Sequence, residues 1–159
     1  MYKIIAYEKL GELINTLKPN KQQLVLVGGC FDILHLGHVR FLTEAKKYGT
    51  LIVALESDET LVKFKGESRP IHKQAERAEV LAALTCVDFV VLLPEFGSDD
   101  DYLHLTQEIK PEVVAVTEGD PQLNNKKKHI QAVGGKVIII PKITTPSTTQ
   151  LAKLLRLES

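Results

Sequence analysis

Tryptophan is absent from the 159 residues, methionine occurs once and cysteine twice, and twenty Lys and Arg cancel twenty Asp and Glu. Cancelled charge leaves no general field to draw in nucleic acid or an anionic membrane. Cys30 and Cys86 form no Cys-x-x-Cys pair, which removes the usual zinc and redox spacings and leaves two reduced thiols. Apolar runs stay short: Phe89 to Leu93 is five residues, where a membrane span needs about 20. Met1-Tyr2-Lys3-Ile4-Ile5 lacks the apolar core and cleavage site of a secretory leader, so a cytoplasmic location is expected.

What is present is alternation. Apolar runs at 24–27, 51–55, 87–93, 113–116 and 137–140 carry no polar/apolar alternation, which suits parallel strands buried on both faces. Helical spacing fills the gaps at 37–48, 73–84, 99–109, 124–133 and 148–157, and an earlier helix runs from Glu8 to Lys18. Strand–helix alternation predicts a doubly wound α/β fold: a five-stranded parallel sheet over residues 21–159, with residues 1–20 as a helical extension. Such sheets bind ligands beyond the carboxyl ends of their strands.

The first run leads into Gly28-Gly29-Cys30-Phe31-Asp32-Ile33-Leu34-His35-Leu36-Gly37-His38. His35 and His38, three apart, share one side of a helix's first turn. Gly37 lacks a Cβ, so a ligand can approach the backbone there. Free N–H groups at a helix start favour an anion, and imidazole N–H can donate to phosphate oxygens. No nucleophile with its own base is visible, which suits charge stabilisation rather than a covalent intermediate. A zinc pair would need a third ligand, and none is evident nearby. The dinucleotide fingerprint Gly-x-Gly-x-x-Gly is missing, which argues against a nicotinamide enzyme.

Gly29-Cys30-Phe31-Asp32 followed by His35-Leu36-Gly37-His38 resembles the signature of the cytidylyltransferase-like nucleotidyltransferases. Arg69-Pro70, Glu76 to Leu81, Val87 to Val91 and Ser147-Thr148-Thr149 fall in that superfamily's order. The wording around Cys30-Phe31-Asp32 is most similar to its heptose-phosphate adenylyltransferase branch. The resemblance implies transfer of a nucleotidyl group from an NTP to a phosphate monoester, with release of pyrophosphate. It implies Mg²⁺, ATP or CTP as the donor, a homodimer, and no nucleic-acid or membrane partner. It further implies that Gly29, Cys30, Phe31 and Gly37 line the nucleotide, that Lys63, Lys65 and Arg77 contact phosphates, and that Ser147 and Thr148 bring donors near them.

The residues themselves allow more than one role at several of these positions. Lys63 and Lys65, near Gly66, suit a loop folding over a triphosphate. Arg77 shares a helical face with Leu81 and Leu84 and so points toward the sheet. Gly119-Asp120 follows the fourth run and either holds ribose or Mg²⁺ or makes a Gly-Asp-Pro turn. Ser147 and Thr148 equally suit helix capping. Lys46 faces either the acceptor phosphate or solvent. Asp32 can hold its loop through backbone N–H groups or touch the acceptor. Glu56 and Glu118 follow strands and can reach the acceptor or remain surface acids. Lys142 stands where cytidylyltransferases resemble Arg, keeping the charge but losing the bidentate fork. Thr117-Glu118 departs from the Lys-Gly of the heptose branch. Expected acceptors are a sugar 1-phosphate first, then glycerol 3-phosphate or a phosphoalcohol. A non-catalytic nucleotide-binding domain on the same fold is the rival from another class.

Overall fold

A computed structural model describes residues 2–156, apart from the side chain of Thr148. The sequence predicts that the last helix reaches Leu157, which lies outside the described residues; the helix is described over Thr148–Leu154.

Six parallel strands form one sheet: β1 (Ile4–Ala6), β2 (Leu24–Gly29), β3 (Thr50–Leu55), β4 (Phe89–Leu92), β5 (Val113–Thr117) and β6 (Lys136–Ile140), in the order β1-β4-β3-β2-β5-β6. The expected five strands are therefore corrected to six. β1 pairs with β4 in the register Ile4↔Val90, Ile5↔Val91, Ala6↔Leu92. Three residues on an edge, with no apolar run of useful length, gave periodicity nothing to detect. The extension is nonetheless built into the fold. A 3₁₀ turn (Tyr7–Lys9) leads into α1 (Leu10–Leu17), whose Leu10, Leu13, Ile14 and Leu17 are all buried in the core on one face of the sheet.

The strands interleave two cores. Leu24, Leu26, Ile52 and Ala54 face α1, joined by Leu105 and Ile109 of α5 (Asp99–Ile109) and Ile130 of α6 (Leu123–Gln131). Val25, Val27, Leu51, Val53 and Leu55 face the other way. There they meet Leu42 and Ala45 of α2 (Leu36–Lys46) and Ala78 and Leu81 of α4 (Gln74–Ala82). All six residues of β3 are buried, the signature of a central parallel strand.

Two further helices matter for function. α3 (Asp58–Lys65) starts at Ser57, whose hydroxyl accepts from Thr60 N, and stops at Gly66, where φ is +95°. The segment expected as a lysine loop is thus helical up to Lys65. α7 (Thr148–Leu154) follows β6. The chain leaves β2 toward β3 on one side and returns to β5 on the other, so the switch point lies between β2 and β5.

Because α1 closes one core, Ile14→Ala should destabilise the domain by about 2–5 kcal/mol in urea unfolding. Leu154→Ala, at an exposed position of α7, should change stability by under about 0.5 kcal/mol.

Candidate active site

The turn after β2 is fixed by buried charge. Asp32 is 3% exposed, and its carboxylate accepts from the Nε of Arg69, itself 2% exposed. The same carboxylate accepts from Ile71 N at 2.9 Å and His72 N at 3.0 Å. Burial works against the charged form. The N–H groups of His72 and Ile71 and the Arg69 guanidinium outweigh it and hold the carboxyl below the usual aspartate range. The resulting stability is complete above that range and is lost as pH falls through the lowered value. Of the two roles expected for Asp32, the structure gives the one that holds the loop through backbone N–H groups and corrects the acceptor role: its oxygens are spent on the segment leading into α4.

Arg77 also differs from expectation. It is 1% exposed. Its guanidinium donates to the carbonyls of Cys30 (2.6 Å), Glu56 (2.9 Å) and His72 (3.0 Å) and to Asp58 Oδ1 (2.7 Å). A cation so engaged ties the ends of β2 and β3 to α4 and is not presented to a phosphate.

On this base stand the two histidines. His35 is the N-cap of α2, and its Nδ1 accepts from Gly37 N at 3.1 Å. That bond assigns the ring proton to Nε2, leaving an N–H donor. The His35 and His38 rings stack with centroids 3.9 Å apart, and Phe31 meets His38 edge-on at 5.1 Å. Phe31 is buried, with φ +46°, so the aromatic expected to line the nucleotide supports His38 from the core instead. Burial, then the neighbouring His35, pushes His38 down to about 4, while the Ile33 backbone works the other way. Burial also lowers His35. Nδ1 of His38 is buried and makes no hydrogen bond among the described residues. Gly37 is required by packing: a Cβ would stand 2.8 Å from His35 Cε1 and 2.9 Å from Thr145 Cγ2. The position a Cβ would take is thus occupied by the His35 and Thr145 side chains, while Gly37 itself still borders the cleft. Gly29 is similar, since a Cβ there would meet the Phe31 ring at 2.8 Å.

A cleft of about 850 Å³ opens beside the imidazoles. It brings together His35, Gly37 and His38 with Lys65, Thr117, Lys142, Thr145, Ser147 and Thr149, and it continues along α2 past Arg40, Phe41 and Tyr48. Ser147 also caps α7, accepting from Gln150 N at 3.2 Å. The side chain of Thr148 lies outside the described residues.

Other expected residues lie elsewhere. Lys63 pairs with Glu95 and does not line the cleft. Two residues apart on a helix, Lys63 and Lys65 point different ways. Lys46 binds Asp88 Oδ2 at 2.6 Å, and that carboxylate also accepts from Leu51 N. An eleven-residue helix spans about 16 Å, so Lys46 sits at the opposite edge of the sheet from His35. Asp120 accepts from Gln122 N (2.7 Å) and Lys126 Nζ (2.6 Å), closing the turn after β5. Gly119 there has φ +79° with open space where a Cβ would stand. Glu118 is exposed. Cys30 is half-buried, and burial followed by the Glu56 charge pushes its thiol up to about 11, so it is no nucleophile. Sequence reasoning missed Thr117 and Thr145. A hydroxyl at a strand end or in a loop carries no pattern until the fold brings it to the cleft.

Asp32→Ala should cost about 3–5 kcal/mol in urea unfolding, because it strips a buried guanidinium of its carboxylate. Surface Glu12→Ala should cost under about 1 kcal/mol.

The cytidylyltransferase-like family pattern matches residues 26–154. The bifunctional protein HldE of Geotalea uraniireducens is 38% identical over 157 residues, covering 97% of this chain and 31% of the relative. HldE of Geobacter metallireducens is 39% identical over 158 residues, with the same coverages. The chain thus spans about a third of the length of these curated relatives. Among solved structures, a lipopolysaccharide core biosynthesis protein from Thermoplasma volcanium superposes with a TM-score of 0.61 at 28% identity, covering 78% of this chain and 98% of that one. Pantoate-beta-alanine ligase from Francisella tularensis shares the fold, with a TM-score of 0.70 at 19% identity, over 92% of this chain and 69% of its own. A match across most of the chain, with the paired histidines inside it, establishes that the protein belongs to the cytidylyltransferase-like family of nucleotidyltransferases.

Proposed function

We propose that the protein transfers AMP from ATP to the phosphate of a sugar 1-phosphate, such as a heptose 1-phosphate, and releases pyrophosphate. An acceptor phosphate oxygen attacks the α-phosphorus in line, the bond to the bridging oxygen breaks, and that oxygen leaves with pyrophosphate. The observation that carries this reading is the stacked pair of neutral imidazoles at a cleft that also holds Lys65 and Lys142. Neutral rings present N–H donors to oxygens that gain charge only as the bond breaks, and the lysines offset charge already there. The protein's contribution is positioning and electrostatics, as in other phosphoryl transfers.

Mg²⁺ enters with the triphosphate as part of the substrate. Asp120, the carboxylate expected to touch it, is spent on Gln122 and Lys126, and the described residues hold no cluster of three metal-ligating side chains. ATP is favoured over CTP by the likeness to HldE at 38–39% identity. The second reading, CMP transfer to glycerol 3-phosphate or a phosphoalcohol, draws on Thr117-Glu118, where the heptose branch resembles Lys-Gly. A homodimer in the cytoplasm completes the proposal.

His38→Ala should keep the fold and lose about 10²–10³ of turnover, the usual cost of removing one such donor. Pyrophosphate release with ATP and a panel of sugar 1-phosphates measures it, and near-normal turnover would refute the assignment. In the free protein, NMR titration should place His38 near 4, and added ATP should raise that midpoint, since triphosphate charge favours the imidazolium. An unfolded histidine protonates near 6.5. The neutral ring's contribution to stability is therefore full above 6.5 and lost as pH falls toward 4.

A further inference from the structure

Among the described residues three cations line the cleft: Lys65, Lys142 and Arg40. Lys65 and Lys142 reach it from opposite flanks of the imidazoles. Lys65 ends α3, the helix after β3, while Lys142 follows β6, and β2 and β5 lie between those two strands. Arg40 is absent from the expected site residues, and α2 fixes its place. It lies three residues after Gly37, on the same side of the helix and about 4.5 Å further along its axis. That side faces the segment between β6 and α7, because a Cβ on Gly37 would stand 2.9 Å from Thr145 Cγ2. Arg40 is therefore on the β6 flank with Lys142. Helical Cα–Cβ bonds tilt toward the N-terminus, so its stem leans toward the imidazole tip.

No acid holds this guanidinium back. Glu44, four residues on, lines the same cleft. An acid placed C-terminal to its base is the weaker helical order, and both Glu44 oxygens take the Lys47 ammonium, at 2.6 and 2.8 Å. Glu56 is 8% exposed with its oxygens on the Tyr102 hydroxyl, and neither it nor Glu118 lines the cleft. The other cations of this helix and its C-cap are engaged, Lys46 by Asp88 and Lys47 by Glu44. The exposed side chain of Arg40 makes no hydrogen bond or ion pair among the described residues.

In-line displacement puts the acceptor phosphate and the leaving pyrophosphate on opposite sides of the α-phosphorus, so each flank serves one of them. The two flanks differ in supply. The β3 flank brings Lys65 alone among the lining cations. The β6 flank brings the N–H fork of Arg40, the ammonium of Lys142 and the hydroxyls of Thr145, Ser147 and Thr149. That set exceeds what one terminal phosphate can use and matches two linked ones. The planar fork also spans two oxygens at once, which the point charge of Lys142 cannot do. We propose that Arg40 binds the β- and γ-phosphates of the donor from the α2 wall, with Lys142 on the wall after β6. It thereby selects a nucleoside triphosphate over a monophosphate and orients the pyrophosphate to leave. The proposal rests on the nucleotidyl-transfer reading above and adds to it a substrate-binding residue.

The test reads binding to the full chain by calorimetry, with AMP, ATP, CMP, CTP and inorganic pyrophosphate, each with Mg²⁺. Wild type should bind its preferred triphosphate more tightly than the matching monophosphate. Arg40→Ala should weaken the triphosphate and pyrophosphate about tenfold or more and leave the monophosphate unchanged. Arg40→Lys should recover part of the loss, because it restores charge without the fork. In turnover with sugar 1-phosphates, KM for the donor should rise in Arg40→Ala while KM for the acceptor holds. Because Arg40 is exposed, the melting temperature of the free protein should hold as well. Equal weakening of monophosphate and triphosphate overturns the proposal in favour of a contact to the nucleoside. A rise confined to the acceptor KM overturns it in favour of the acceptor phosphate, and unchanged binding overturns it outright. If triphosphate and pyrophosphate bind with this dependence on Arg40, yet no acceptor yields pyrophosphate, the transfer reading falls and the Arg40 assignment stands. If wild type binds neither triphosphate nor pyrophosphate, both fall.

Discussion

Two guanidiniums withdrawn from water hold the site together. Arg69 meets the carboxylate of Asp32, and Arg77 meets the carbonyls of Cys30, Glu56 and His72. They join the turns after β2 and β3 to the approach to α4, beyond the point where the register of β2 and β3 ends at Gly29 and Leu55. Arg suits this work because its planar fork reaches several acceptors at once and stays charged when buried. The imidazoles stand on what these bonds fix: Phe31, between Cys30 and Asp32, is the ring that backs His38.

With that base rigid, the chemistry of the cleft is set by dehydration. His38 is driven toward neutrality by burial and by its stacked neighbour. For the proposed reaction, a permanently charged pair would bind the ground-state triphosphate strongly and gain little at the transition state, whereas neutral donors respond to charge as it appears. In the proposed reaction the cationic share falls to Lys65 and Lys142 of the cleft, compact point charges on four-carbon stems.

Much of this was legible in the chain. Continuous apolar runs marked five strands, because strands buried on both faces must be apolar throughout, but the last run forms the edge strand β6, where Ile139 is exposed. The paired histidines stood out because they follow a strand and two glycines. What could not be read were partners. Arg77 was correctly placed on the apolar face of α4, but its partners are carbonyls, which every residue possesses and no sequence advertises. The Asp32 carboxylate found its guanidinium 37 positions away. Lys63 and Lys65 read as one loop pair, and two residues of helix sent them apart. β1 escaped because three edge residues owe their conformation to β4 rather than to their own pattern.

α2 is a beam pinned at both ends. The imidazoles occupy one tip, and at the other Lys46 is moored to Asp88, which also grips the backbone of β3 at Leu51. A rigid rod transmits rotation along its length, so loosening the mooring would reach the distant rings as a change of aim, with every local contact around them intact. Substitutions on the far rim of the sheet thus have a mechanical route to the two imidazoles at its opposite end.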